Sequence, residues 1–185
     1  VFMKKSTSHI YLIILLSILS SVAPIATDTY LPSIPEIAKY FDVNIHKIEL
    51  SLSIFLIGFA IGQIFGGPIS DRYGRRVGSI VGLLGYALFS FLIIFSSSIY
   101  EFLEAFFGGI TVVNATAAVR DRFSGQEAAK VFSLIGMVRS LAPLLAPVFG
   151  AAIIHFFPWE GIFVFLTIYA LIVAFFIYKD LPESF

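Results

Sequence analysis

Six stretches almost free of charged residues, at 10–27, 50–70, 77–100, 105–119, 131–157 and 161–178, constrain this chain more than anything else in it. A helix needs about 20 consecutive apolar residues to cross the hydrocarbon core of a bilayer. In lipid its backbone polar groups must also be bonded within the segment. The runs suit that task, although the one at 105–119 is short and needs Phe102 and Leu103 to reach across. Only Arg139 interrupts the run at 131–157. The pattern predicts an all-α membrane protein. Its six transmembrane helices should lie at about 9–35, 48–69, 76–97, 100–120, 128–156 and 161–179, as one bundle over 1–185. Composition points the same way: 58% of the residues are hydrophobic, 21 are Phe, and 13% are charged. A soluble domain of this size would lack polar groups for its surface.

The net charge is +0, so no long-range field draws the chain to nucleic acid. There is no Cys, which excludes a disulfide framework, thiolate metal ligation and a Cys nucleophile. No pattern of metal ligands, no cofactor-binding motif and no Ser–His–Asp constellation occurs, so the chain reads as a non-enzyme. The first residue is Val1 and Met3 follows closely. That fits an alternative start codon, a start at Met3, or a piece of a longer chain.

Orientation follows from Lys and Arg, which accumulate on the cytoplasmic side of a membrane. With the N-terminus inside, Lys4, Lys5, Arg72, Arg75, Arg76, Arg120, Arg122, Lys130 and Lys179 fall inside, against Lys39 and Lys47 outside. Both ends are therefore expected in the cytoplasm, as for a multi-pass protein of a bacterial inner membrane. The first run has some features of a secretory signal, with Ser21-Val22-Ala23 as a cleavage site, but Pro24 would impede cleavage.

Gly58, Gly62 and Gly66 stand four apart in the second run, as do Gly74, Gly78 and Gly82 at the start of the third. Residues four apart share a helix face, and Gly there lets two backbones approach closely in lipid. Between these runs stands Gly67-Pro68-Ile69-Ser70-Asp71-Arg72-Tyr73-Gly74-Arg75-Arg76, of the pattern G-x-x-x-D-R-x-G-R-R. Asp71 is placed to cap the third helix and face the positive end of its dipole. Gly74 permits a tight turn. Arg75 and Arg76 sit badly for the dipole of a helix N-terminus, so they serve membrane orientation or ion pairs to another helix.

This motif resembles the loop signature between helices two and three of the major facilitator superfamily. Further segments look like the Bcr/CflA drug–proton antiporters within it. They are Asp28-Thr29-Tyr30-Leu31-Pro32-Ser33-Ile34-Pro35, Gly58-Phe59-Ala60-Ile61-Gly62-Gln63, Val119-Arg120-Asp121 and Ala142-Pro143-Leu144-Leu145-Ala146-Pro147-Val148-Phe149-Gly150. The resemblance runs along essentially the whole chain. It implies a fold of two six-helix halves, of which this chain matches the N-terminal one. It also implies multidrug efflux driven by protons, with a small drug-like substrate, a lipid bilayer as solvent, and a C-terminal half or a second copy as partner.

The resemblance gives roles to particular residues. Gly67, Asp71, Arg72, Gly74, Arg75 and Arg76 would gate conformational change, while Pro143, Pro147 and Gly150 would bend and tighten the fifth helix. Asp28 ends the first run, where a carboxylate at bilayer depth is costly and hence functional or paired; it is the candidate proton site. Tyr30, Gln63, Asn114 and Arg139 are candidates for lining a cavity. For Gln63 and Asn114 the alternative is a simple link between helices, and for Arg139 it is snorkelling to the interface. Trp159 reads as an aromatic anchor at the outer interface. The fourth helix departs from the family pattern: Glu104-Ala105-Phe106-Phe107-Gly108-Gly109 places Ala105 where an Arg is expected, and the distance to Arg120-Asp121 is about one helical turn short. Two other readings stay open: an uptake carrier for a small solute, and a truncated membrane protein without transport activity.

Overall fold

The computed structural model describes residues 9–95 and 98–181, and these are helical almost throughout. The elements are α1 (His9–Ser20), α2 (Val22–Tyr30), a 3-10 turn (Leu31–Ser33), α3 (Ile34–Tyr40), α4 (Ile45–Tyr73), α5 (Arg75–Ile93), α6 (Ser98–Arg122), α7 (Gly125–Phe156) and α8 (Glu160–Asp180).

Where the sequence suggests one helix over 9–35, the chain breaks at Ser21 and the two pieces meet at 44°. Pro24 explains the position of the break. It has no N–H to give to the carbonyl of Ser20, and its ring collides with that carbonyl. The hydroxyls of Ser17, Ser20 and Ser21 each bond back to the carbonyl four residues earlier, a pattern that bends helices further. α4 starts cleanly, with the Asn44 side chain accepting from the His46 amide at 3.0 Å.

Among the described residues, four helices are long and apolar enough to cross a membrane: α4, α5, α7 and α8. The bent pair made by α1 with α2 and α3 brings the number to 5. The fourth expected span falls in α6, which has the length, at 25 residues. α6 lies between α4 and α5, and Glu104, Ala105, Thr111, Asn114, Ala115 and Ala118 are all buried. A helix surrounded by other helices has little lipid to satisfy, so it can carry polar and small residues.

Glycines make that central position possible. A Cβ on Gly62 would run into the carbonyl of Phe106, and one on Gly66 would lie 2.8 Å from the Cα of Ile110. On the other side of α6, a Cβ on Gly82 would sit 3.0 Å from the amide of Thr111. α8 packs outside α5, where Thr167 and Tyr169 donate to the carbonyls of Ala87 and Ile18. α7 lies along α1 and α2 and touches α6 little. Its small residues Ala142, Ala146 and Gly150 are buried at a spacing of four, and a Cβ on Gly150 would strike the carbonyl of Thr29.

Trp159, expected as an anchor at the outer interface, is enclosed by protein. It is 4% exposed, and its ring meets those of Tyr40, Phe41 and Phe163 at 5.8, 5.7 and 5.9 Å. The turn after α3 folds over the start of α8 and encloses it.

Candidate functional site: a charged junction and a groove

α4 runs through Asp71 to Tyr73 and stops at Gly74. Gly74 adopts φ 94° and ψ 151°, a region open essentially to Gly alone. The chain thereby turns into α5 within one residue, and Arg75 starts the next helix directly above the last turn of α4.

Asp71 consequently does not cap α5. It lies inside the final turn of α4, and the cap position belongs to Gly74, which has no side chain to offer. Asp71 instead faces Arg75, its Oδ1 2.5 Å from Nη2. Arg75 also donates from Nε to Asp121 Oδ2 on α6 at 2.7 Å, and from Nη1 to Ser70 Oγ at 2.5 Å. Ser70 in turn donates to the carbonyl of Gly67. One guanidinium thus ties the ends of α4, α5 and α6. Charge-assisted bonds of this kind are the strong ones, and the fork of Arg fits several acceptors at once. Of the two uses open to Arg75 in the sequence, ion pairing to another helix is the one its geometry realises.

Arg76 reaches a third neighbour. Its Nη2 donates to the carbonyl of Tyr178 at the end of α8, and its guanidinium lies 4.8 Å from the centre of the Tyr178 ring. Arg72 stays on α4, 5.5 Å over the ring of Tyr73.

Beside this junction opens a groove of ≈ 430 Å³. Gln63, Gly67 and Asp71 of α4, Arg75 of α5, Thr116, Arg120 and Asp121 of α6, and Arg139 of α7 line it. The groove exists because α7 follows α1 and α2 and leaves the α4–α6 face uncovered. Arg139 is exposed on α7 and faces this space, with no ion pair to it among the described residues.

The other residues singled out from the sequence lie elsewhere. Asn114, expected to line a cavity, is fully buried between α5 and α6: it donates to the carbonyl of Ile110 at 2.9 Å, and a Cβ on Gly78 would lie 2.7 Å from its Nδ2. Its hydrogen bond stays within α6, and its side chain packs against α5 at Gly78. Asp28 is half-buried on α2, lines neither the groove nor the smaller cavity below, and has no hydrogen bond or ion pair among the described residues. Tyr30 lines a smaller cavity of ≈ 30 Å³ with Thr27, Ser51, Phe55, Glu104 and Phe163, and its hydroxyl is 2.8 Å from Ser51 Oγ. Pro143 and Pro147 sit inside an unbroken α7, on turns that also carry the buried Ala142, Ala146 and Gly150.

Sequence reasoning did not single out Ser70, Tyr178 or Glu104. Ser70 and Tyr178 act through short reaches that no periodicity announces. Glu104 did leave a signal, since its charge breaks an apolar stretch, but a charge at the edge of a run reads as the end of a span.

The chain resembles proteins of one kind. Residues 16–184 match the family model of the Major Facilitator Superfamily. A bicyclomycin resistance protein homolog of Haemophilus influenzae is 36% identical over 98% of this chain and 47% of its own length. A multidrug transporter, MdfA, of Edwardsiella piscicida is 34% identical over 86% of this chain and 40% of its own. This chain thus spans about half the length of the curated relatives it matches. The crystal structure of the human organic anion transporter MFSD10 (TETRAN) superposes with a TM-score of 0.69, covering 96% of this chain and 49% of that one at 21% identity, which speaks for the fold alone. With its multi-pass helical bundle, its junction at the α4–α5 turn and a family match over nearly its whole length, the chain belongs to the Major Facilitator Superfamily, whose members are carriers and not enzymes.

Proposed function

We propose that this chain is the N-terminal, six-helix half of a proton-coupled exporter of drug-like molecules in a bacterial inner membrane, with both of its ends in the cytoplasm. The bent pair α1–α3 supplies the first span and α6 the fourth. The observation that carries the reading is the Arg75 junction next to the groove. An arginine bound at once to Asp71, Ser70 and Asp121 holds three helix ends in one arrangement. Breaking those bonds releases them, which is what a carrier that alternates between two states requires. The names of the two bacterial relatives, bicyclomycin resistance and multidrug transport, support export of drug-like compounds.

In this reading Asp28 carries the proton, and Gln63 and Arg139 contribute to the substrate path. The Gly67–Arg76 motif gates the cytoplasmic side. The stripe of Ala142, Ala146 and Gly150, with Pro143 and Pro147 between, seals α7 against α2. The second wall of the cavity comes from a C-terminal half.

The test is accumulation of a fluorescent cationic dye in an efflux-deficient host. The host would express this chain joined to the C-terminal half of the Haemophilus influenzae relative. Accumulation should fall on expression, return when a protonophore is added, and be unaffected by expression of an Asp28→Asn variant. Unchanged accumulation with the unmodified sequence, or a rise in it, would overturn export.

A further inference from the structure

Glu104 is 2% exposed, on the helix at the centre of the bundle. Ser90 of α5 donates to its Oε1 at 2.5 Å. The carboxyl also borders the small cavity of ≈ 30 Å³ that Thr27 and Tyr30 of α2 and Ser51 of α4 reach from the other side. That volume is enough for a water molecule. The hydroxyls of Tyr30 and Ser51, 2.8 Å apart, can relay a proton to or from it.

Hydroxyl groups are among the neighbours of the carboxyl. Tyr86 of α5 lies close enough to interact with Glu104 electrostatically, as does Tyr169 of α8 with Tyr86. The residues lining the cavity include no Lys, Arg or His. An ionised carboxylate in such a place loses its hydration, whereas the neutral acid loses little. Ser90 can donate to the carbonyl oxygen of the neutral acid as well as to the carboxylate, so both forms are accommodated.

We infer that Glu104 is a proton-binding site of this protein, distinct from Asp28 and reached through the cavity between α2, α4 and α6. On uptake, one carboxylate oxygen forms an O–H bond with a proton taken from water; on release that bond breaks and the proton returns to water. The site deepens the proton-coupled reading above and relies on it only for its part in transport.

Infrared difference spectra of the protein in lipid nanodiscs, taken between acid and alkaline pH, test the site without any transport. A carbonyl band of a neutral carboxylic acid should be present at acid pH and absent at alkaline pH. The other carboxyls of the chain absorb in the same region, so Glu104→Gln should remove one component of that band, and Asp28→Asn should leave that component. Ser90→Ala should move it to higher frequency, because the carbonyl loses a hydrogen bond. The same bands in Glu104→Gln as in the unmodified protein would overturn the proposal. If Glu104→Gln does not fold, Ser90→Ala decides, and an unshifted band there overturns it equally. Loss of the component supports the site even where the dye assay finds no proton-driven export, so failure of the two readings leaves different records.

Discussion

At the α4–α5 turn, the cost of losing a residue depends on how much water it already sees. The Arg75 side chain is 13% exposed, and its partner Asp71 is 63% exposed. An exposed ion pair contributes about 0–1 kcal/mol, whereas the largely buried Arg75 guanidinium makes several bonds at once, and a hydrogen bond to a charged group contributes about 1.5–3 kcal/mol. Arg75→Ala should therefore destabilise the fold by about 2–3 kcal/mol and Asp71→Asn by less than about 1 kcal/mol, measured by reversible unfolding in mixed detergent micelles. Equal losses would show that the guanidinium does not hold Asp121. Asp71→Asn should nevertheless impair export by the assembled carrier, because the pair biases one conformation; unchanged export would remove Asp71 from gating. Gly74→Ala should cost about 1–3 kcal/mol, the strain of a side chain in that backbone region. Of this site, the sequence made the Gly, Asp and Arg of the turn legible as a group. Which atoms meet was not legible. Asp71 looks like a cap until it is clear that α4 continues to Tyr73, and Asp121 is some fifty positions away in sequence.

At the scale of the element, the glycines separate into two kinds that the sequence writes identically. Gly62 and Gly66 lie where the backbones of α4 and α6 touch, while a Cβ on Gly67 would meet nothing within 4 Å. Backbone cannot rotate away as a side chain can, so Gly62→Val forces the helices apart. Overpacking of this sort costs about 1–3 kcal/mol and often more, and the variant should show a lower melting temperature in detergent. Gly67→Ala, by contrast, should be neutral or slightly stabilising, since Ala is favoured over Gly in a helix by about 1 kcal/mol. A large loss of stability in Gly67→Ala would contradict the open space beside it. If Gly67→Ala folds but slows export, its place in the motif concerns the moving state. Spacing of four predicts a close helix contact, and α4 has one, but spacing cannot say where along the stripe it ends. The sequence reads α6 as a short span, and only the helices on either side explain why it tolerates the buried Glu104, Thr111 and Asn114.

For the whole molecule, the two helices that frame the groove are the ones the bundle covers least. Within their most apolar windows, α4 is 11% buried and α7 17%, against 44% for α5 and 39% for α8. Leu56, Ile57, Ile64 and Phe65 of α4 and Leu141, Leu144, Leu145 and Val148 of α7 are exposed. Lipid can cover such surfaces, but it cannot cover a charge between them. Arg139 borders the groove from within the fifth apolar run, and a charge facing lipid is costly. A carrier that binds substrate between two halves and rocks one against the other needs a second wall there. The 185-residue chain produced by itself should therefore not export dye as a monomer. It should recruit a C-terminal half, pair with a second copy, or be degraded. Dye accumulation in an efflux-deficient host, together with the mass of the purified protein in detergent, checks this. Proton-dependent export by a chain of monomeric mass would refute the claim, because it would mean that one wall suffices. Export by a dimer would show instead that two copies of the α4–α7 face can close the groove for each other.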